Sequence, residues 1–165
     1  MFNKDVHHRQ SIRLRGYDYS QPGHYFLTLC CYQKKSVFGD IHQQQVQLNF
    51  CGELATAHWL NISVLQLPVK LHEFVFMPNH MHAIIEITAK QSVQANTVTL
   101  GQIVRGYKAS VTSAIRKHTQ EQLYVVWQRN YYEHIIRNEA SFWAITQYIR
   151  DNPKKWPDDE YYVQL

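Results

Sequence analysis

The segment Phe74-Val75-Phe76-Met77-Pro78-Asn79-His80-Met81-His82-Ala83-Ile84-Ile85 constrains the fold of this chain more than any other. Leu71–Met77 and His80–Thr88 are both strand-forming, and only Pro78-Asn79, a strand breaker and turn former, lies between them. Two residues cannot carry a helical crossover, so a hairpin-like pair of strands is the natural reading. The rest of the chain has to be arranged around that hairpin.

On its N-terminal side, His24–Tyr32 is aromatic, β-branched and apolar, and reads as a buried strand. Lys34–Asp40 reads as a polar connection and Gln45–Phe50 as a short strand. Cys51–Leu67 places Leu54, Ala57, Trp59, Leu60, Ile62, Val64 and Leu65 at partly helical spacing, and Pro68 stops it. On its C-terminal side, Lys90–Thr99 is a polar loop. Leu100–Lys117 then carries apolar residues at 100, 103, 104, 107, 111, 114 and 115, a helical stripe that marks Tyr107 as core. Tyr124–Ile136 reads as a strand. Asn138 is the N-cap of a last helix running from Glu139 to Asp151 and stopped by Pro153. Asn152, preceding proline, is expected to leave helical geometry.

The order is β, a short β, α, β, β, α, β, α. This predicts an α+β fold of the ferredoxin-like, split-βαβ kind, a mostly antiparallel sheet with helices packed on it. Residues 1–165 read as one domain, with an N-terminal arm over 1–23 and a loose acidic tail over 157–165.

Composition removes several classes of function. The apolar stretches are far short of the roughly 20 residues a membrane helix needs. Three cysteines, Cys30, Cys31 and Cys51, form neither a disulfide framework nor a zinc ribbon, and read as core thiols. The N-terminal residues lack an apolar signal region, so the cytoplasm is the expected compartment. The net charge is only +4, but its placement is uneven. Arg105, Lys108, Arg116 and Lys117 lie between Gly101 and His118 with no acid among them, and Arg13 and Arg15 lie on the arm. All six are candidate phosphate contacts.

His80 and His82 are the sharpest chemical signal. Residues i and i+2 of a strand share a face, so both imidazoles look the same way from Cα atoms roughly 7 Å apart. A divalent ion can sit between them if a third ligand approaches from above. Tyr148 and Asn152 share one face of the last helix, beside Phe142, Ile145 and Ile149. If that helix crosses the His80 strand, Asn152 offers the metal a carbonyl oxygen and Tyr148 lies one turn away. Tyr131 and Tyr132 are rival nucleophiles. His134 reads as packing and Asn79 as turn chemistry.

Met77-Pro78-Asn79-His80-Met81-His82 resembles the His–hydrophobic–His signature of the HUH single-strand endonucleases. The segment from Trp127 to Asn138 and the element Tyr148-Ile149-Arg150-Asp151-Asn152-Pro153 resemble the REP-associated branch of the single-tyrosine transposases. The stretch from Ile12 to Tyr19, with Pro22-Gly23, is similar as well. Where many members of that branch have a small Gly-containing turn after Asn-Pro, this chain has Lys154-Lys155-Trp156.

The resemblance implies that His80, His82 and Asn152 bind Mg²⁺ or Mn²⁺. It implies that Tyr148 attacks the scissile phosphate of single-stranded or hairpin DNA, giving a 5′-phosphotyrosine and a free 3′-OH. Members act as monomers or dimers, so it allows a homodimer in which the tyrosine helix serves the partner. Two other readings compete: a non-catalytic single-stranded nucleic-acid-binding module of the same fold, and a metal-dependent hydrolase that uses water.

Overall fold

The computed structural model describes residues 17–89, 98–159 and 161–162. These residues form six strands and three α-helices. They are β1 (Gly23–Cys30), β2 (Gly39–His42), β3 (Gln45–Leu48), α1 (Phe50–Asn61), β4 (Val69–Met77), β5 (His80–Ile87), α2 (Leu100–Thr119), β6 (Tyr132–Ile136) and α3 (Glu139–Asp151). The main sheet has the order β4-β5-β1-β6, and every pairing in it is antiparallel. With the small β2–β3 hairpin set aside, this is the expected split-βαβ α+β arrangement. The β4–β5 hairpin forms across Pro78-Asn79 with Met77 opposite His80. The His80–His82 strand is therefore central, flanked by β4 and β1.

Strand alternation gives the sheet two buried faces. Tyr25, Leu27, Leu29, Met81, Ala83 and Ile85 point to α1 and α2, where Trp59, Val104, Tyr107 and Val111 complete the larger core. Phe26 and Ile84 point the other way and pack with Ile136, Ile149, Phe142 and Ile145 beneath α3. His80 and His82 belong to this second face by strand parity. Helix α3 docks on this second face, crossing β4, the histidine strand β5 and β6.

Both long C-terminal helices begin where the sequence predicts. Thr99 and Gln102 form a reciprocal capping box at the start of α2. The Asn138 side chain accepts from Ser141 N at 2.8 Å at the start of α3. Among the described residues, no helix is long and apolar enough to cross a membrane.

Several expectations need correction. Part of the supposed connection 34–40 is β2, paired with β3 through Gln43 and Gln44 at φ 49° and 62°. Left-handed backbone at both turn positions is usually marked by Asn or Gly, and Gln-Gln carries no such signal. Helix α1 starts at Phe50, capped by Asn49, and gives way to a 3₁₀ turn at Ile62–Val64. The strand expected over 124–136 is confined to Tyr132–Ile136. Upstream, Trp127 makes a single bridge to Cys31, and Lys108 Nζ takes the carbonyls of Gln128 and Asn130 at 2.9 and 3.2 Å. Carbonyls held by a side chain cannot serve a ladder.

Asn152 does not leave helical geometry. Its φ and ψ are −56° and −43°, and its N–H donates to Ile149 O. Pro153 opens a 3₁₀ turn over Asn152–Asp158, where its fixed φ is tolerated. The tail is not loose over its described part either. Asp159 accepts from Asn152 Nδ2 at 3.2 Å, and Tyr161 O accepts from Asn79 Nδ2 at 2.7 Å. Within the arm, Tyr17 and Tyr19 pack on the larger core. Arg13, Arg15 and most of the 90–99 loop lie outside the described residues.

Candidate active site

Register places the histidines. On β5, His82 pairs with Thr28 of β1 and Val75 of β4, and His80 pairs with Cys30 and Met77. The shared face brings His80 Nε2 and His82 Nε2 to 3.1 Å, with both side chains buried. Two imidazole lone pairs repel at that separation, so a proton or a cation must lie between them. Nitrogen ligands bound at about 2.0–2.1 Å stand roughly 3.0–3.4 Å apart at octahedral or tetrahedral angles, which this pair matches.

Each ring is held from its other nitrogen. His80 Nδ1 lies 2.8 Å from Asn79 Oδ1, a pure acceptor, so His80 carries its proton on Nδ1 and turns the Nε2 lone pair inward. His82 Nδ1 lies 2.9 Å from Thr28 Oγ1, a hydroxyl that can donate or accept. Thr28 therefore suits either tautomer of His82. Phe26 stacks on the His82 ring at 5.4 Å and 24°.

Burial keeps both imidazoles neutral. It pushes His80 down to about 2, with His82 adding to the effect and Asn152 opposing it. It pushes His82 down to about 3. Neutral imidazole is the form that ligates metals.

Tyr148 and Asn152 descend from α3 onto this pair. Tyr148 Oη lies 3.3 Å from His82 Nε2, while the residue remains 41% exposed. The nucleophile candidate thus faces both the histidines and solvent. Asn152 is buried beside His80, and no donor completes a hydrogen bond to its Oδ1. A buried carbonyl oxygen beside His80 that no donor reaches in good geometry fits a third ligand position. Asp159 adds an unforeseen group: its carboxylate and the two histidine nitrogens all lie within 4.8 Å of one another. Two nitrogens with one amide and one carboxylate oxygen make a mixed donor set that suits Mn²⁺ better than Mg²⁺.

The rival tyrosines stand elsewhere. Tyr107 is buried and donates to Ala55 O at 3.1 Å, as a core residue. The Tyr131 ring lies under Lys108 Nζ at 5.6 Å. Tyr132 sets its ring edge-on to Phe26 and is exposed. His134 is exposed on β6, outside the packing role expected of it.

The basic residues divide into two sets. Arg105 and Lys117 are exposed and available. Lys108 is committed to the 128–130 carbonyls, and burial lowers its ammonium to about 8. Arg116 donates through Nε to Tyr124 O at 2.9 Å. A groove of about 770 Å³ between α2 and the 120–129 segment is lined by Lys108, Arg116, Lys117 and Arg129. Arg129, exposed there, was not among the expected contacts. It sits next to Trp127-Gln128 in a segment that reads as strand, and strand periodicity gives no sign of a groove.

Three comparisons give this geometry its context. An uncharacterized protein of Haemophilus influenzae is 44% identical over an alignment of 177 residues, covering 98% of this chain and 97% of the relative. A REP-associated tyrosine transposase, solved bound to a REP hairpin, shares the fold with a TM-score of 0.63 at 21% identity, over 88% of this chain and 74% of that one. The IS200-like transposase family model matches residues 22–152, from the turn before β1 through the ligand candidate Asn152. Spanning the whole sheet, the histidine pair and the tyrosine helix in one continuous match, the chain belongs to the IS200-like transposase family.

Proposed function

We propose that this chain nicks and rejoins single-stranded DNA at hairpin-forming sites, as a member of the REP-associated branch, with Tyr148 as nucleophile. The observation that carries the reading is the contact of Tyr148 Oη with His82 Nε2 at 3.3 Å, beside the 3.1 Å His80–His82 pair. Tyrosine and histidines meet within one chain, so no exchange of helices between two copies is required.

His80, His82 and Asn152, joined by Asp159, would hold a divalent cation, Mn²⁺ or Mg²⁺. Such a cation supplies positive charge against the phosphate oxygens as charge builds there. The chain's own residues do the rest. Asn79 and Thr28 fix the imidazoles, and Phe26 and Ile149 exclude water from beneath them. Tyr148 releases its proton to solvent as Oη bonds to phosphorus. The P–O3′ bond breaks, and the departing oxygen takes up a proton to leave a 3′-OH. The reverse sequence rejoins the strand, so the phosphodiester energy is conserved and no nucleotide is consumed. Arg105, Lys117 and Arg129 serve as phosphate contacts, and the fold neighbour's REP hairpin supports a hairpin as the substrate class.

The test is a covalent adduct. Wild-type chain incubated with single-stranded hairpin oligonucleotides and Mn²⁺ should give a protein–DNA band that survives denaturing electrophoresis. Tyr148→Phe should abolish the band and keep hairpin binding. An adduct in Tyr148→Phe would sink Tyr148 as nucleophile. Binding without any adduct across hairpin substrates would favour the non-catalytic module.

A further inference from the structure

We propose that His24, His72 and Glu86 form a second divalent-cation site, of the zinc-binding class, on the same sheet face as the His80–His82 pair but at its opposite end. It goes beyond the nicking reaction and does not depend on it.

Three strands build this cluster. His24 of β1 lies directly opposite Glu86 of β5. On β4 the register shifts between Leu71 and Phe74, where two residues, His72 and Glu73, oppose the single Ile84 of β5. Such a bulge re-aims side chains, and here it leaves His72 on the face of Glu86. His72 Nε2 is 2.9 Å from Glu86 Oε2, and His24 Nε2 is 3.5 Å from the same oxygen. The three ligand atoms all lie within 4.8 Å of one another.

Two imidazoles and one carboxylate are the protein donors of open zinc sites. Magnesium and calcium prefer oxygen-only sets. Ligand atoms around tetrahedral zinc stand roughly 3.4 Å apart, so the His24 distance already fits and the His72 distance needs to open by about half an ångström. The cluster can also be reached: its side chains are 38%, 28% and 21% exposed. A cleft of about 380 Å³ opens beside His24, lined by Ile136, Asn138, Phe142 and Trp143. Lys70 Nζ approaches Glu86 Oε1 at 4.0 Å but is 67% exposed, so it can withdraw when a cation enters.

The location sets the role. Glu86 is four residues from His82 along β5, roughly 13 Å away. Paired catalytic metals stand about 3.5–4 Å apart, so this cation cannot share a phosphate with the first. It lies instead beneath the tyrosine helix. The Phe142 ring packs edge-on against both His24 and His72, at 5.1 and 5.3 Å. Phe142 is six residues before Tyr148 on α3. A cation that fixes the two imidazoles fixes the platform on which the first half of that helix rests.

The experiment uses the full chain without an affinity tag, stripped by chelation and titrated with Zn²⁺ alone, with bound ions counted by native mass spectrometry. Wild type should bind two zinc ions per chain. His24→Ala and His72→Ala should each bind one, and that one should be lost on adding His80→Ala. Glu86→Gln preserves shape and hydrogen bonding, and should weaken the second site at least tenfold even if a histidine variant misfolds. Zinc should raise the melting temperature of a His80→Ala, His82→Ala chain, and should not once His72→Ala is added. Zinc lost with His80→Ala but kept unchanged in His24→Ala, His72→Ala and Glu86→Gln overturns this inference and leaves the catalytic centre standing. The opposite pattern supports the inference and removes the catalytic metal.

Discussion

Thr28 and His82 face each other across the β1–β5 ladder, and Thr28 Oγ1 lies 2.9 Å from His82 Nδ1 with both residues buried. This hydroxyl anchors the outer nitrogen of His82 and so fixes the orientation of the ring. Partners of this kind typically matter by 10–100-fold in metal affinity. Thr28→Val keeps the volume and removes the bond. It should weaken Mn²⁺ binding by about that factor and slow adduct formation while hairpin affinity holds, and Thr28→Ser should restore both. Calorimetric Mn²⁺ titration of the two variants checks it. Equal affinity in Thr28→Val and wild type rules out the orienting role.

Asp159 brings a carboxylate within 4.8 Å of the ligand nitrogens of the histidine pair. Asp159→Asn keeps an acceptor for Tyr161 N and gives up the one for Asn152 Nδ2, so the tail should stay docked through Tyr161, whose carbonyl also accepts from Asn79 Nδ2. Mn²⁺ affinity should fall at least tenfold, about 1.4 kcal/mol. Unchanged Mn²⁺ affinity would assign Asp159 to tail docking alone.

Stability should depend on pH through the same imidazoles. His80 and His82 are held to about 2 and about 3 in the folded chain, against 6.5 when unfolded. Between those values the unfolded state binds more protons, so stability rises with pH and falls as pH drops below about 6.5. Each histidine contributes up to about 1.4 kcal/mol per pH unit. With chelator present, the melting temperature should fall steadily from pH 7 to pH 5, and His82→Asn should flatten the profile. A variant profile parallel to wild type contradicts this account.

Cations on α2 and in the facing 120–129 segment should separate into two behaviours. Lys108→Met removes the clamp on the Gln128 and Asn130 carbonyls and should lower the melting temperature. Lys117→Ala and Arg129→Ala should leave stability within about 0.5 kcal/mol. Each should weaken hairpin binding and reduce the slope of log affinity against log salt by about one. Filter binding across a salt series distinguishes them, and a Lys117→Ala slope equal to wild type removes that phosphate contact.

Much of this molecule is readable one segment at a time. The β4–β5 hairpin follows from two strand segments joined by Pro78-Asn79, the α2 stripe from its period, and α3 from Asn138. Strand parity puts His80 and His82 on one face, and helical spacing puts Tyr148 and Asn152 on another. All of these are consequences of backbone geometry over a few residues. The β2 strand escaped because Gln43-Gln44 takes a left-handed turn without the residues that usually announce one. Residues 124–131 escaped because strand-forming side chains say nothing of carbonyls already taken by Lys108.

What the tertiary structure alone decided is how distant segments meet. The antiparallel register, summed over the whole β1–β5 ladder, sets Thr28 opposite His82 and His24 opposite Glu86. The bulge in β4 turns His72 toward that pair. Docking of α3 on Phe26 and Ile84 converts two separate faces into one site, and the continued helical geometry at Asn152 keeps its side chain beside His80. Asp159 and Tyr161 arrive from the far end of the chain through hydrogen bonds to Asn152 and Asn79. Side-chain periodicity determines which way a residue points. Register and packing, which depend on every paired residue at once, determine what it meets.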